Sequence, residues 1–337
     1  MKLDVCVFTH NPRKEAFEHT LRGLARQTLP RNQFHVWVVD NASSPPLHEA
    51  DLEFLRAGGV QYTLLREDRL GHSYARVTAI GATTSEWIIF VDDDNELFDD
   101  YLGAVLQVIS LKPHLGCFGG KLLLAEGILV PPWAKDMLGY IAIKDVGDEA
   151  ITNCVDAWGH WEPPGAGAVV RRAVAEMFCQ RIERYSDSGR LGRRGRSGLM
   201  SCDDSLMMRG AFRLGLCCSY EPNLRLWHHI DPRRLDFRYL LRLLYYLGRS
   251  HVVLERCLGH EIKRQSLKEG WKLLTSFSLS REKMFLLARQ WGYFFESRSA
   301  AGVTPDVEAA TVAIPLGSAP PATSEGSSDK TPPGERR

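Results

Sequence analysis

The sequence lacks the features that mark several large classes of protein. Its eight cysteines form no CxxC pair, and a chain of 337 residues needs no disulfides to fold, so we expect reduced thiols. No apolar run approaches the roughly 20 residues that span a bilayer, so no transmembrane helix is predicted. The formal net charge of +1 gives no general attraction to nucleic acid, and we expect no nucleic-acid partner.

Both ends of the sequence also lack particular features. Asp4 interrupts the apolar start, so no secretory signal peptide is predicted and a cytoplasmic location is expected. Residues 300–337 contain no aromatic side chain and are rich in Pro, Ser, Ala, Thr and Gly. Such a segment cannot bury enough apolar surface to offset its chain entropy, which predicts a disordered low-complexity tail.

Short apolar strands alternate with amphipathic helices in the first third of the chain. Strands are predicted at 3–8, 34–40, 61–65 and 87–91, and helices at 15–27, 49–57 and 73–82. This alternation is typical of an α/β fold with a mostly parallel central sheet flanked by helices, which binds ligands at the carboxyl ends of its strands. After Leu111 the alternation weakens, long loops follow, and the pattern from 233 to 296 becomes helical.

Three adjacent carboxylates, Asp92, Asp93 and Asp94, follow the predicted strand at 87–91. Adjacent carboxylates repel one another unless a cation or solvent compensates them. If the chain stays extended, the first and third point to one side and can face one ligand, while Asp93 turns away. Their hard oxygen atoms suit Mg²⁺ or Mn²⁺ bridging to a diphosphate. The alternative is an acidic turn that caps a helix at 96–101.

Two later segments carry further candidate groups. Asp203 and Asp204 precede a helix-like segment, where a carboxylate can act as a general base or as a helix N-cap. His228 and His229 end an alternating strand and therefore point to opposite sides, so that one of them can face a site. A histidine there either binds metal or phosphate or is a packed structural residue.

The segment 233–299 is basic, since Lys and Arg are twice as numerous as Asp and Glu between residues 231 and 299. Arg alternates with Leu and Tyr at 233–251, a pattern that suits an amphipathic helix on an anionic membrane surface. We therefore expect peripheral membrane contact through 233–299, at the inner face of the plasma membrane. The alternative is a helix packed on the catalytic domain with its arginines in solvent.

Several of these motifs occur together in one order: THNPR (9–13), VVDNAS (38–43), LGHSYAR (70–76), FVDDDN (90–95), GGK (119–121), PPGAG (163–167), CDDS (202–205) and LWHHI (226–230). Over about residues 3–250 this order resembles the inverting family 2 glycosyltransferases, which have a GT-A fold that binds nucleotide-diphospho-sugars. The expected organisation is a GT-A catalytic domain at 1–232, a basic helical extension at 233–299 and the tail at 300–337.

The resemblance implies a donor site. Its nucleotide-contacting positions correspond here to Thr9, Asn11, Asp40 and Arg76, with Asp40 recognising the base, commonly uracil. His10 stands where the family usually has Tyr. Asp92, nearer the ribose, and Asp93 are assigned to the nucleotide-sugar.

The resemblance also implies a metal and a base. Asp94 lies nearest the metal, Mn²⁺ or Mg²⁺, and His228 reaches the metal or the diphosphate. Asp204 corresponds to the catalytic base and Asp203 to the glutamate before it; because Asp replaces Glu, the choice of base between the two stays open.

The implied activity is metal-dependent, inverting transfer of a sugar from a nucleoside-diphosphate donor to a hydroxyl of a glycan or glycolipid acceptor, in polysaccharide or glycolipid synthesis. One alternative is a sugar-phosphate nucleotidyltransferase, for which the sequence has no glycine-rich phosphate-binding signature. The other is a catalytically silent nucleotide-sugar-binding adaptor, which would not need a positioned base.

Overall fold

The computed structural model describes residues 2–184, 188–195, 198–262 and 280–299. Nine strands lie among these residues: β1 (Leu3–Thr9), β2 (Phe34–Asn41), β3 (Tyr62–Glu67), β4 (Trp87–Asp92), β5 (Asn95–Leu97), β6 (Leu115–Leu124), β7 (Ile151–Asn153), β8 (Val169–Arg171) and β9 (Cys217–His228). The tail predicted at 300–337 lies outside the described residues.

The same part of the chain contains eight α-helices: α1 (Lys14–Ala25), α2 (Glu53–Ala57), α3 (His72–Ala82), α4 (Tyr101–Leu111), α5 (Arg172–Arg184), α6 (Asp203–Arg213), α7 (Phe237–Cys257) and α8 (Arg281–Arg298). Short 3-10 helices lie at Arg31–Gln33, Glu49–Leu52, Pro132–Ile141, Ser188–Arg190 and Pro232–Leu235.

One sheet contains all these strands, in the order β3-β2-β1-β4-β8-β6-β9-β5, with β7 added against β9. The first four strands of the chain are parallel, as predicted. The other half is mixed: β8 runs antiparallel to β4 and β6, β5 and β7 run antiparallel to β9, and β6 and β9 are parallel. The α/β fold is therefore confirmed, with a helical C-terminal part.

Helices cover both faces of the parallel strands, which explains their nearly continuous apolar sequences. In β1, Val5 and Val7 enter a core with α1, α2 and α4, whereas Cys6 and Phe8 enter a second core with α3, α5 and α6. Because both faces are buried, polar side chains of these strands collect at the strand ends. The carboxyl ends of β1, β2 and β4 consequently form one polar edge of the sheet.

One expectation about the cysteines is wrong. Cys154 and Cys217 form a disulfide, although they are 63 positions apart and belong to no recognisable motif. Cys154 directly follows β7, and the antiparallel pairing of β7 with β9 brings Asn153 opposite Cys218. Strand pairing, which the sequence does not reveal, thus sets this contact. Free thiols are present at Cys6, Cys117, Cys179, Cys202 and Cys218.

The basic helices α7 and α8 pack tightly on each other. A Cβ at Gly248 would lie 2.0 Å from the carbonyl oxygen of Arg289, and one at Gly292 would lie 1.8 Å from that of Tyr245. Glycine at both positions therefore lets the two backbones touch. The C-terminal half of α7 also enters the second core through Val253 and Leu254. None of the helices in the described ranges has the length and apolar character needed to cross a membrane.

Candidate active site

The polar edge of the sheet brings three predicted segments together. In the parallel register Thr9 pairs with Asp40, and Phe8 pairs with Asp92. The loops that follow β1, β2 and β4 therefore leave the sheet side by side, as parallel strands require.

The loops after β1 and β2 are tied to each other. Asp40 is 2% exposed, and its carboxylate accepts hydrogen bonds from the backbone N–H groups of Ser43 and Leu47, both at 3.0 Å. Arg66 donates a further bond to it. Burial opposes ionisation, but the hydrogen bonds from Ser43, Leu47 and Arg66 hold the pKa of Asp40 below its ordinary value. Asn11 joins the loops, since its Oδ1 accepts a bond from the backbone of Ser44 at 2.9 Å.

The carboxylates of 92–94 do not continue the strand. The chain turns at Asp93 and Asp94, because Asn95 Oδ1 accepts a hydrogen bond from the backbone N–H of Asp92 at 3.0 Å and closes the turn. The extended arrangement expected for these residues is therefore not observed. The alternative, an acidic turn that caps a helix at 96–101, is right about the turn and wrong about the helix, because residues 95–97 form β5 and α4 begins at Tyr101.

Each carboxylate of this turn has a different partner. Asp92 Oδ1 lies 3.5 Å from His72 Nε2, and Asp94 Oδ1 lies 3.2 Å from His228 Nε2. Asp93 accepts a 2.6 Å hydrogen bond from the hydroxyl of Thr9. The turn thus distributes three negative charges among three directions, which reduces their mutual repulsion.

The electrostatic environments of Asp93 and Asp94 are opposite. Burial and the charge of Asp94 raise the pKa of Asp93 to about 7. Burial also opposes ionisation of Asp94, but His228, Arg234 and Arg13 lower its pKa to about 2. Arg234 Nη1 and Arg13 Nη2 lie 3.7 and 4.0 Å from Asp94 Oδ2. Sequence analysis did not single out either arginine, although Arg13 belongs to the THNPR segment.

His72 connects the acidic turn with the segment at 202–205. Its Nδ1 lies 3.2 Å from Asp203 Oδ2, and Arg76 donates a 2.8 Å bond to the same oxygen. Burial and the charge of Arg76 oppose protonation of His72, but Asp203 and Asp92 raise its pKa to about 9. Burial opposes ionisation of Asp203, yet Arg76 and His72 hold its pKa well below the usual range. Asp203 is therefore a paired carboxylate.

Asp204 has no such partner among the cations of this cluster. Its oxygens accept backbone hydrogen bonds from Gly165 at 3.1 Å and Ser205 at 2.9 Å. Burial and the neighbouring charge of Asp203 raise the pKa of Asp204. The pKa values of the two adjacent aspartates at the start of α6 are therefore shifted in opposite directions.

The PPGAG loop approaches this cluster closely. A Cβ at Gly165 would lie 2.1 Å from Arg76 Nη2 and 3.6 Å from Asp204 Cβ. Just before the loop, Glu162 is buried and accepts a 2.5 Å bond from the hydroxyl of Ser205. Burial raises the pKa of Glu162 to about 7. Sequence analysis missed both His72 and Glu162, although they lie in or next to segments it had noted.

Residues 191–193, which belong to a glycine- and arginine-rich run of the sequence, lie against the start of α3. The carbonyls of Leu191 and Arg193 accept 2.9 Å hydrogen bonds from the Ser73 hydroxyl and from the backbone N–H of His72. Gly192 has φ +87°, and a Cβ there would lie 2.9 Å from Asp203 Oδ2. Residues 191–193 therefore form a wall of the site; residues 196 and 197 lie outside the described part.

The potential metal-ligand atoms at the acidic turn fit a hard divalent cation. Asp94 Oδ1 and His228 Nε2 are 3.2 Å apart, a separation that two ligands of one cation can adopt. Mg²⁺ and similar ions bind through one or two carboxylates and complete their coordination with water and substrate phosphates. The chain thus offers a partial set of ligands that a diphosphate would complete.

The sequence profile of Glycosyl transferase family 2 matches residues 4–178, which are just over half of the chain and include β2, β3, β4 and nearly all of β1. The chain belongs to this family. It is a glycosyltransferase with a GT-A fold, as the motif order predicted. No curated protein matches the sequence.

Two solved structures are similar to this chain. S. aureus TarS 1–349 in complex with UDP has 17% sequence identity and a TM-score of 0.50, covering 88% of this chain and 89% of that one. The mannosyltransferase PcManGT from Pyrobaculum calidifontis, in complex with GDP-Man and Mn²⁺, has 19% identity and a TM-score of 0.49, covering 92% of this chain and 77% of that one. The similarity to TarS concerns the fold.

Proposed function

We propose that this glycosyltransferase moves a sugar from a UDP-linked donor to an acceptor hydroxyl, with inversion at the anomeric carbon and with Mn²⁺ or Mg²⁺ bound at the acidic turn. The observation that carries the proposal is the position of His72, 3.5 Å from Asp92 and 3.2 Å from Asp203. One imidazole thereby joins the acidic turn after β4 to the start of α6. Donor-binding and base functions need that proximity.

The donor is proposed to lie over the carboxyl ends of β1, β2 and β4. Thr9 and Asn11 line the loop after β1, and Asp40 holds the neighbouring loop through Ser43 and Leu47. In this proposal the nucleotide base contacts the loop that Asp40 organises, and Asp92 and Asp93 lie on the sugar-nucleotide side of the turn. TarS, which has a similar fold, has been solved with UDP, which supports a uridine nucleotide.

Asp94 and His228 are proposed to hold the metal. A bound divalent cation would neutralise negative charge on the departing diphosphate. Arg13 and Arg234, which flank Asp94, are positioned to add positive charge to the same region. Arg76 is 2% exposed and donates a hydrogen bond to Asp203. This contact supports an indirect role, in which Arg76 orients the two adjacent aspartates at the start of α6.

Asp204 is the proposed general base. A base needs affinity for a proton, and burial raises the pKa of Asp204, whereas the ion pairs with Arg76 and His72 lower that of Asp203. Asp204 would accept the proton of the acceptor hydroxyl as the hydroxyl oxygen attacks the anomeric carbon. The bond to the diphosphate breaks on the opposite face, so one displacement inverts the configuration and no covalent sugar–enzyme intermediate forms.

The acceptor is proposed to be a glycan or a glycolipid, presented to a catalytic domain at 1–232 by a basic extension at 233–299. Arg233, Arg238 and Arg242 are exposed at the start of this extension, which supports peripheral contact with an anionic membrane. The packing of Val253 and Leu254 against the catalytic core equally supports a structural role for the later turns of α7. Flotation with anionic vesicles of the full chain and of the R233E/R238E/R242E variant tests the contact.

A panel of nucleotide sugars, measured by thermal shift with and without Mn²⁺, tests the donor site because a ligand raises stability in proportion to its affinity and concentration. We expect a UDP-sugar to raise the melting temperature of the wild type only when Mn²⁺ is present. The same mixture should leave the melting temperature of Asp94→Asn unchanged. Asp148→Asn, at a carboxylate that is 93% exposed, is the matched control and should respond like the wild type. Metal-independent binding, or no response to any nucleotide sugar, would contradict the proposal.

The same preparation separates an enzyme from a catalytically silent nucleotide-sugar-binding adaptor. With donor and Mn²⁺ but no acceptor, an enzyme should release nucleoside diphosphate slowly, because water can replace the acceptor hydroxyl. An adaptor should bind the donor and release none.

A further inference from the structure

The two consecutive histidines after β9 have different surroundings. His228 is 2% exposed and its ring contacts Asp94 and the carbonyl of Ala142. His229 directs its ring to a separate cluster with His19 and Glu96. The proposed donor site does not use this second cluster.

Three potential ligand atoms converge there. Glu96 Oε2 lies 3.0 Å from His19 Nδ1 and 2.7 Å from His229 Nε2, and all three atoms lie within 4.8 Å of one another. They come from three elements: α1, β5 and the residue after β9. Only folding brings them together, because 77 and 133 positions separate Glu96 from the two histidines.

The surroundings fix two of these groups. Arg26 donates a 2.7 Å bond to Glu96 Oε1, which leaves Oε2 for the histidines, and Arg26 is itself held by Asp99 at 3.1 Å. The backbone N–H of His229 donates to the Asp94 carbonyl at 2.8 Å. Outer contacts of this kind orient the ligands in protein metal sites.

From this geometry we propose that His19, Glu96 and His229 form a second divalent-cation site, of the zinc class, separate from the donor metal. Two imidazole nitrogens and one carboxylate oxygen are a ligand set that zinc uses, and a fourth position would remain open to water. His19 and His229 are 41% and 20% exposed, so an ion can reach the cluster from solvent.

One adjustment is needed for binding. The two imidazole rings stack at a centroid distance of 4.1 Å with an interplanar angle of 18°. A ligated cation lies near the plane of each ring, so one ring must turn when it binds. His19 can do so because its side chain is the more exposed, and the occupied site would then tie α1 to the strand end that carries His228.

Cobalt titration of the full, tag-free chain tests the site, since Co²⁺ in a four-coordinate nitrogen and oxygen site absorbs strongly in the visible range, and at a six-coordinate oxygen-rich site only weakly. We expect one strongly absorbing equivalent in the wild type, displaced by Zn²⁺. Both His19→Ala and Glu96→Gln should weaken binding at least tenfold. Glu96→Gln keeps the side-chain shape if His19→Ala is poorly folded.

Two control variants separate this site from its alternatives. His260→Ala removes an exposed histidine that pairs with the carboxylate of Glu255, away from the proposed site. This variant should bind cobalt like the wild type. Asp94→Asn removes a proposed ligand of the donor metal and should also retain the strong absorption. Loss of the signal in Asp94→Asn, an unchanged signal in both His19→Ala and Glu96→Gln, or no strong absorption in the wild type would overturn the proposal. None of these outcomes depends on donor binding.

Discussion

His72 lies between Asp92 and Asp203, with Nε2 3.5 Å from the first carboxylate and Nδ1 3.2 Å from the second. Asp92 ends β4 and Asp203 begins α6, so this ring spans the two acidic segments of the candidate site. Arg76 donates a hydrogen bond to the same oxygen of Asp203. The charge of Asp203 is therefore compensated by Arg76 and His72, whereas the pKa of Asp204 is raised and Asp204 retains affinity for a proton.

Replacing His72 should make stability depend less on pH. The pKa of His72 is raised from 6.5 to about 9 in the folded chain, so its stabilisation is complete below the unfolded value and is lost as pH rises through the folded value. We expect the difference in unfolding free energy between wild type and His72→Ala to shrink by on the order of 3 kcal/mol between about pH 6 and about pH 10.

Denaturant unfolding across this pH range measures the His72 effect. His114→Ala, at an exposed histidine after α4, is the control for replacing a histidine by alanine. A wild type–His72→Ala difference that stays constant from pH 6 to pH 10 would rule out a charged bridge between Asp92 and Asp203.

A methyl group at Gly165 should disturb the contact between Arg76 and Asp203. The added Cβ would lie 2.1 Å from Arg76 Nη2, so the guanidinium must move. We expect Gly165→Ala to cost about 1–3 kcal/mol of stability, as overpacking usually does, and to reduce turnover. Gly81→Ala is the matched control, since a Cβ there meets nothing within 4 Å and alanine should stabilise α3 slightly. Equal stability and turnover in the two variants would contradict this geometry.

Glu296 should hold α8 to the rest of the molecule. It is 2% exposed and contacts Arg190, Arg249 and Arg256 at 2.7, 2.8 and 3.8 Å. Removing one member of a buried ionic cluster costs about 3–5 kcal/mol, so Glu296→Ala should lower stability by that order. The exposed Glu282→Ala is the control.

The Glu296 contribution should also vary with pH in a known direction. Burial opposes its ionisation, but Arg249 and Arg190 lower its pKa below 4.5. The stabilisation by Glu296 is therefore complete at a pH above its pKa in the unfolded chain, and it is lost as the pH falls through its pKa in the folded chain. Denaturant unfolding of the wild type and Glu296→Ala should accordingly converge in acid; a difference that grows as pH falls would contradict this assignment.

The parallel half of the fold was predictable because its signals are local. Apolar strands such as Phe34–Asn41 and Trp87–Asp92, and the helix His72–Ala82, agree with the predicted elements within one or two residues. Burial on both faces produces continuous apolar runs, and these need no knowledge of distant partners. The order of motifs then sufficed to identify the family.

The rest depends on contacts between distant residues. The short strands β5 and β7 exist through pairing with β9, and the Cys154–Cys217 disulfide follows from that pairing. The turn at Asp93 and Asp94 was predicted only as the alternative to an extended segment, because the amide of Asn95, not the strand pattern, sets its geometry. His72 was noted only as a letter of LGHSYAR, since its two aspartate partners become neighbours only in the folded sheet.

The most direct measurement compares turnover and donor affinity in Asp204→Asn. If Asp204 is the base, kcat with Mn²⁺, a UDP-sugar and acceptor should fall by a factor of about 100 to 10,000, while the donor Kd changes little, because general-base catalysis typically contributes that factor. Turnover equal to that of the wild type in a folded Asp204→Asn variant would contradict the account.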